Sequence, residues 1–288
     1  MRILVTGAAG RLGRATLAQL RASSHTVCAV DRHPATSDGV TVSALDLLDE
    51  MATRAAFDAF RPEVVIHLAN HPNASVAPAA QLYRENTAMT WHVFAAAIDA
   101  GARRILYASS VQTISGGPGR ENVYLSDLPV FPLPVDGTEP TQVGNAYGLS
   151  KVAGEQALAL LVAQHPDVAG VALRFPMLVT DPAGYPPWLS DVAWTRPHPE
   201  FHAYLPIGAA ADLLVTLSGS TLAGYHVFTP ACPLPAHAPR LSALLDGPYR
   251  GMTVRRPPDS FTQPFDPERL AALTGWRPPA PEVPPPKA

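Results

Sequence analysis

The chain has 288 residues, a formal net charge of −3, and 47% hydrophobic against 16% charged residues, so it is long enough to bury a full α/β core. Without a basic stripe it is not expected to bind nucleic acid, and a small molecule is the expected ligand. No apolar run approaches the roughly 20 residues that span a bilayer, and Met1 leads straight into a strand with no signal peptide, so a soluble, cytoplasmic protein with no membrane partner is expected.

In chain order, the apolar run Arg2–Val5 feeds the turn Thr6-Gly7-Ala8-Ala9-Gly10-Arg11-Leu12-Gly13, and a helix follows over 11–22. Strands are expected at Thr26–Val30 and Val40–Ala44, a helix at 49–60, and a strand at Glu63–Leu68 behind the boundary residue Pro62. A helix over 79–100 closes at Gly101, the residue suited to a helix C-terminus. Strand Arg104–Ala108, a helix over 146–164 and strand Val168–Arg174 complete the alternation, which is the pattern of a parallel sheet covered on both faces. Beyond residue 180 lie 21 of the 32 prolines, so long helices give way to loops. A helix at 207–219, a strand at Tyr225–Thr229 and a short helix at 266–274 remain, and the tail Pro278–Ala288 is expected to fray. The expected architecture is α/β: a Rossmann-type doubly wound parallel sheet over 1–175, with 207–229 returning to it, and a small discontinuous cap from 176–206 and 230–288.

Gly7 suits the tight turn, Gly10 a close backbone approach to phosphate, and Gly13 close packing of helix on strand. The spacing is G-x-x-G-x-x-G, and such a turn offers amides and a positive dipole end to a pyrophosphate. The second strand ends in Asp31, 18 residues beyond Gly13, where a carboxylate accepts hydrogen bonds from a ribose 2′-OH and repels a 2′-phosphate. That favours NAD over NADP, while the neighbouring Arg32 can stack on adenine or pair with such a phosphate. Tyr147 and Lys151 are four apart on one helix and share a face. A phenol is a poor base at neutral pH until a nearby cation favours its phenolate. Ser110 follows the fifth main strand at the carboxyl edge of the sheet, where open α/β folds bind ligands, and is placed to hold a substrate oxygen that Tyr147 deprotonates. Cys28 and Cys232 read as reduced thiols. His67 and His71 are four apart, but Pro72 and the preceding strand disfavour a helix there and no carboxylate or thiol cluster accompanies them, and His198 and His202 sit among prolines, so no metal site is expected.

With these residues in place, the chain resembles the extended short-chain dehydrogenases/reductases, the NAD-dependent epimerase/dehydratase family, from Met1 to about Pro278. Thr6–Gly13 resembles the family's TGxxGxxG turn, Asp46-Leu47 its adenine-contacting pair, His67-Leu68-Ala69-Asn70 its cofactor-lining segment, and Asn86 its helix asparagine. Tyr107-Ala108-Ser109-Ser110 resembles the segment carrying the active-site serine, and Leu273-Thr274-Gly275-Trp276-Arg277-Pro278 the family's closing sequence. The resemblance implies catalytic roles for Ser110, Tyr147, Lys151 and Asn86. It implies cofactor contacts from Gly7, Ala9, Gly10, Arg11, Leu12, Gly13, Asp31, Arg32, Asp46, Leu47, Leu68, Ala69, Asn70, Asn86, Tyr147, Lys151 and Phe175.

Departures narrow the activity. Dehydratases of this family carry acidic residues after the serine, and this chain has Val111-Gln112-Thr113. Sugar-nucleotide epimerases spend a long cap on the nucleotide, whereas only about 30 residues separate Arg174 from Tyr204 here. The short cap is similar to that of the uronate dehydrogenase branch, although that branch follows its serine with Asn-His. The expected activity is therefore NAD-dependent oxidation or reduction of a hydroxyl or carbonyl on a small sugar, sugar acid or similar polar substrate. An epimerase that recycles its cofactor and a non-catalytic NAD(P)-sensing protein are the rival readings. Ser75, Val111, Gln112 and Arg174 are candidate substrate contacts. Arg174 can either clamp a substrate carboxylate or pair with a carboxylate at its strand end. Trp188 and Trp194 either wall the pocket or pack the cap. The family's mode of assembly implies a homodimer through the helices at 79–100 and 146–164.

Overall fold

The computed structural model describes residues 1–37, 39–116, 131–180, 194–195 and 197–280. Chain order gives β1 (Arg2–Thr6), α1 (Arg11–Leu20), β2 (Thr26–Asp31), β3 (Ala35–Ser37), β4 (Val40–Ala44), α2 (Glu50–Phe60) and β5 (Val64–His67). Next come α3 (Ala79–Asp99), β6 (Arg104–Ser110), α4 (Ala146–Gln164), β7 (Ala169–Phe175), β8 (Met177–Val179) and β9 (Tyr204–Pro206). The chain closes with α5 (Ile207–Ser218), β10 (Tyr225–Phe228), α6 (Leu241–Asp246) and α7 (Glu268–Thr274).

Eight strands form one sheet in the order β10-β7-β6-β5-β1-β2-β4-β3, parallel throughout except for β3 on β4. Strands covered on both faces must be apolar along their whole length, and β5 and β7 are buried at every residue. From β1 the chain builds outward through β2 to β4, then returns to the opposite side of β1 at β5. That reversal leaves a crevice at the carboxyl ends of β1 and β5, the place where open α/β sheets take ligands.

Two apolar clusters cover the sheet. One packs α1 and α5 against the strands through Leu17, Leu20, Leu213, Leu214 and Leu217. The other packs α2, α3 and α4 through Phe57, Val93, Phe94, Leu158 and Val162. Local sequence sets the helix ends. Asp49 caps α2 by accepting from the Ala52 amide at 2.9 Å, and Gly101 takes φ +85° just past α3.

A third cluster lies apart from these two and joins Val111, Ile114, Phe131, Leu133 and Val135 to Trp194, Phe201, Leu234, Leu241, Tyr249 and Phe265. Its core therefore draws on residues well before 176. Conversely, Leu270 of α7 and the following Trp276 pack into the first cluster, and the Trp276 indole donates to Asp212 of α5 at 2.8 Å.

The expected strands and long helices are all present with ends displaced by a few residues at most. The edge strand β3, the short pair β8–β9 and helix α6 are additions to the expected set. Each is six residues or fewer, too short to show a period. Trp194 packs in the third cluster, while Trp188 and the tail beyond residue 280 lie outside the described residues. Among the described residues no helix is long and apolar enough to cross a membrane.

Candidate active site

One cavity of about 630 Å³ opens along the carboxyl edge of the sheet. Its lining brings together most of the residues singled out from the sequence: Gly7, Gly10, Arg11, Leu12 and Gly13 of the first turn, Asp31 and Arg32 after β2, and Asp46 and Leu47 after β4. Leu68, Ala69 and Asn70 line it after β5, Ser110, Val111 and Gln112 at the end of β6, Tyr147 and Lys151 on α4, and Phe175 at the end of β7.

At the cofactor end, Gly7 takes φ +67°, and a Cβ there would lie 2.6 Å from the Ala69 amide nitrogen. A Cβ on Gly13 would lie 2.7 Å from Ala8 Cα, so the helix can rest on the turn only without a side chain at that position. Helix α1 starts at Gly10 with no side-chain cap and no acidic residue in its first turn. Its leading amides are thus left for an anion on the cavity side. Asp31 accepts from the amides of Ala9 and His33, which fixes its carboxylate at the cavity wall. The Asn70 amide donates to the Leu68 carbonyl at 2.9 Å, leaving its buried Oδ1 without a partner. An uncapped helix start, a fixed carboxylate and an orphaned buried acceptor together fit a dinucleotide with phosphates and ribose hydroxyls.

At the reactive end, β6 and α4 are joined at successive residues. Lys151 Nζ donates to the Ala108 carbonyl at 2.7 Å, and the Ser109 hydroxyl donates to Glu155 at 2.6 Å. The Lys151 ammonium also lies 4.9 Å from the centre of the Tyr107 ring. Asn145 caps α4 by accepting from Gly148 N at 2.9 Å, and its amide donates to the Gln112 side chain at 3.1 Å. Gly148 leaves room for the Gln112 carbonyl, which a Cβ would meet at 2.7 Å. The turn bearing Ser110 is thereby locked against the first turn of α4 bearing Tyr147. Ser110 Oγ accepts from Gln112 N at 3.2 Å, which leaves its proton to donate.

Burial pulls the Lys151 amine down to about 7, and the Glu155 carboxylate one turn on opposes that shift. Below the floor, His67 Nδ1 is hydrogen-bonded to the Thr6 hydroxyl at 2.7 Å, and its ring stacks on Tyr107 at 5.7 Å. Burial, aided by the Lys151 charge, drives His67 down to about 3, so it stays neutral.

Four expectations are corrected. Arg174 does not face a substrate. Its guanidinium is 3% exposed, grips Glu155 bidentately at 3.0 and 2.8 Å, and donates to the Glu139 carbonyl at 3.0 Å. Ser75 lies in an exposed turn, with its amide and hydroxyl both on Asn73 Oδ1, and Asn73 lines the cavity in its place. The Ala9 amide is taken by Asp31, so Ala9 does not line the cavity. Asn86 stands behind the wall. Its Oδ1 accepts from His71 N at 2.7 Å and its amide donates to Ser150 Oγ at 3.2 Å, so it positions the loop after β5 against α4.

Sequence reasoning missed His71 and Glu85, which pair at 2.6 Å in the cavity wall. It also missed Pro176, Met177 and Leu178 beyond β7, and Glu200. None of these carries a spacing signal, because the contacts join residues on different elements.

Residues 3–181 match the NAD dependent epimerase/dehydratase family. The chain belongs to that family. It is 32% identical over 179 residues to an NAD-dependent glucose-6-phosphate dehydrogenase of Haloferax volcanii, covering 60% of this chain and 66% of that protein, just under two thirds. It is also 32% identical over 179 residues to an L-arabinose 1-dehydrogenase (NAD(P)(+)) of Haloferax volcanii, covering 62% of this chain and 68% of that one. In fold it is similar to the UDP-glucose 4-epimerase of Bifidobacterium longum solved with NAD+ and UDP, at TM-score 0.69 and 20% identity over 98% of this chain and 95% of that one.

The buried charges have measurable consequences for stability. Arg174→Ala should lower unfolding free energy in urea by about 3–5 kcal/mol by stranding the Glu155 carboxylate. An Arg174→Ala protein of full stability and selectively raised substrate KM would contradict this assignment.

The Lys151 amine moves from its ordinary value of 10.5 in water to about 7 in the folded chain. The unfolded chain therefore holds the extra proton between those values, and stability from this group rises with pH across that window. Lys151→Met should show its greatest stability relative to wild type below pH 7, and that difference should shrink toward pH 10.5. A pH-independent difference in thermal midpoints would refute it.

Proposed function

We propose that the protein is an NAD-dependent dehydrogenase acting on a hydroxyl of a small sugar. The carrying observation is that the dinucleotide seat and the Ser110–Tyr147–Lys151 group line one continuous cavity. Its volume of about 630 Å³ lies within the range of small-molecule and cofactor sites. The two similar Haloferax volcanii proteins are dehydrogenases by name, one of a sugar phosphate and one of a free pentose, and they support this reading.

In this reading the amides of Arg11, Leu12 and Gly13 hold the pyrophosphate, Asp31 holds the adenosine ribose, and Asn70 accepts from a ribose hydroxyl. NAD, held by these residues, would supply the two-electron oxidant for the substrate carbon. Ser110 Oγ holds the substrate oxygen, and Tyr147 takes its proton. Lys151 holds positive charge next to the phenol and favours its ionised form. Positioning of these groups carries much of the rate. The third apolar cluster forms the cap over the substrate end, and Cys28 and Cys232, both unpaired, suit a cytoplasmic setting.

Tyr147→Phe should lower kcat/KM by about a hundred- to ten-thousandfold with NAD affinity unchanged, as read from NADH absorbance and from NAD titration of protein fluorescence. Near-normal turnover by Tyr147→Phe would remove the proton-transfer role. Substrate interconversion without NADH accumulation would identify an epimerase, and NAD binding with no turnover of any sugar would identify a sensor.

We further propose a homodimer through α3 and α4. These helices pack on each other and leave Tyr83, Trp91, Leu149 and Leu160 between 38% and 50% exposed, apolar side chains that a partner copy would cover. Trp91→Asp should convert the dimer to a monomer in light scattering. A wild-type protein that is already monomeric would overturn this.

A further inference from the structure

Glu200 is a buried residue whose carboxylate meets no partner among the described residues. It is 3% exposed, lines the cavity, and makes no side-chain hydrogen bond or ion pair with any described residue. Buried carboxyls are almost always paired, because an unmet acceptor in a dry site is costly. The surrounding backbone is committed, since the Glu200 amide donates to His198 Nδ1 at 3.2 Å and its carbonyl accepts from Ala203 N at 3.0 Å. The next two residues, Phe201 and His202, both take positive φ, +48° and +55°. Consecutive left-handed residues with bulky side chains are strained, and they persist only where surrounding packing enforces them. Here the enforcing contact is the Phe201 ring, fully buried and stacked on Tyr249 at 4.0 Å. The cap core therefore imposes a turn that holds an unpaired carboxyl at the cavity wall.

The topology places this carboxyl near the reactive end. Phe175, at the end of β7, is in register with Ser110 on β6. The chain continues through Pro176 into β8, where Met177 pairs with Tyr204 of β9, and Glu200 lies four residues before Tyr204. Among the described residues, Arg174 is engaged by Glu155, Lys151 by the Ala108 carbonyl, and the His71 ring by Glu85. Among the described residues the Glu200 carboxyl has no donor, which leaves it open to a donor on a ligand in the cavity.

We propose that Glu200 is a specificity-determining residue that binds a hydroxyl of an uncharged sugar and disfavours sugars bearing a carboxylate or phosphate at that position. Burial raises its carboxyl to about 7, so near neutrality it both donates and accepts, which matches a hydroxyl. A like-charged substrate group would face desolvated repulsion there. The inference rests on the dehydrogenase reading above. Hydroxyls of the same chemistry also occur on the cofactor's riboses, and the experiment separates the two sources.

The test compares the full-length wild type with Glu200→Gln and Glu200→Ala. NADH formation is followed with D-glucose, D-galactose, D-xylose and L-arabinose, then with D-glucuronate, D-galacturonate and D-glucose 6-phosphate, and NAD affinity is titrated separately. Wild type should favour its best neutral sugar over the matching acid by at least about tenfold in kcat/KM. Glu200→Ala should raise KM for that sugar about tenfold to a hundredfold, with a smaller change in kcat and an NAD dissociation constant within about twofold. Glu200→Gln should keep KM within about fivefold, because the amide still donates and accepts, and should narrow the discrimination against the acid. If Glu200→Ala fails to fold, that narrowing in Glu200→Gln decides the matter.

A wild type preferring the acid or phosphate, a KM indifferent to both substitutions, or a loss of NAD affinity in step with KM would overturn the proposal, the last by assigning Glu200 to a cofactor ribose. Sugar oxidation indifferent to Glu200 sinks this inference alone, whereas NAD binding without oxidation of any sugar sinks the dehydrogenase reading with it.

Discussion

The buried ammonium of Lys151 is the constraint around which the reactive half of the molecule is arranged. Taking that charge out of water is costly, and the fold offsets the cost from two directions. The Ala108 carbonyl near the end of β6 accepts a hydrogen bond from the ammonium, and the Glu155 carboxylate one helical turn away supplies the opposing charge. Glu155 would itself be an unpaired buried charge without Arg174 and the Ser109 hydroxyl. Arg174 in turn reaches the Glu139 carbonyl. Each member is tolerable only because the next is present, and together they fix the rotation of α4 against β6 and β7. Tyr147, one turn before Lys151, has no freedom to face elsewhere. The result is a positioned phenol at the expense of stability, a common exchange at catalytic sites.

The two halves of the cavity meet because of strand order. The reversal between β1 and β5 opens the sheet edge where the first glycine turn and the segment after β5 lie side by side. The tight contact between Gly7 and Ala69 closes the space between them. Moving outward from β5, the next parallel strand is β6, whose last residue is Ser110, followed by β7, whose last residue is Phe175. A ligand lying across the strand ends therefore passes from the uncapped start of α1 to the serine and the phenol without leaving one surface. Parallel pairing brings residues from positions 7, 69, 110 and 175 onto that surface, although nothing in the local sequence makes them neighbours.

What the sequence disclosed follows from how local each signal is. The glycine turn, Asp31 and the Tyr147–Lys151 spacing act within one strand, turn or helix, so their types and intervals are sufficient to read them. Gly101 likewise ends α3 through its own backbone. Arg174 is ambiguous in sequence because its two readings differ only in which carboxylate it meets, and Glu155 lies on another element, 19 residues earlier. Ser75 and Asn73 show the same limit at short range, since nothing in a loop says which of two neighbouring polar residues turns inward. Glu200 leaves no trace at all. It sits in a proline-rich stretch without period, and its burial depends on Phe201 meeting Tyr249, 48 residues downstream.

The turn after Ser110 bears on which of the family's chemistries this site can run. Eliminating water from a sugar requires a proton to leave one atom and another to arrive at a leaving hydroxyl, so an acid and a base must both stand near the serine. Here Val111 is apolar, and Gln112 is an amide with no proton to exchange near neutral pH. Gln112 is also buried and held by Asn145, so it acts as a brace between the serine turn and α4. With that turn supplying shape alone, the proposed function gives the proton transfer to the phenol of Tyr147, acting on an oxygen held by Ser110. One proton leaving one oxygen as hydrogen leaves the adjacent carbon is the stoichiometry of alcohol oxidation, and in the proposed function the rigidity of the brace serves to keep that oxygen in place.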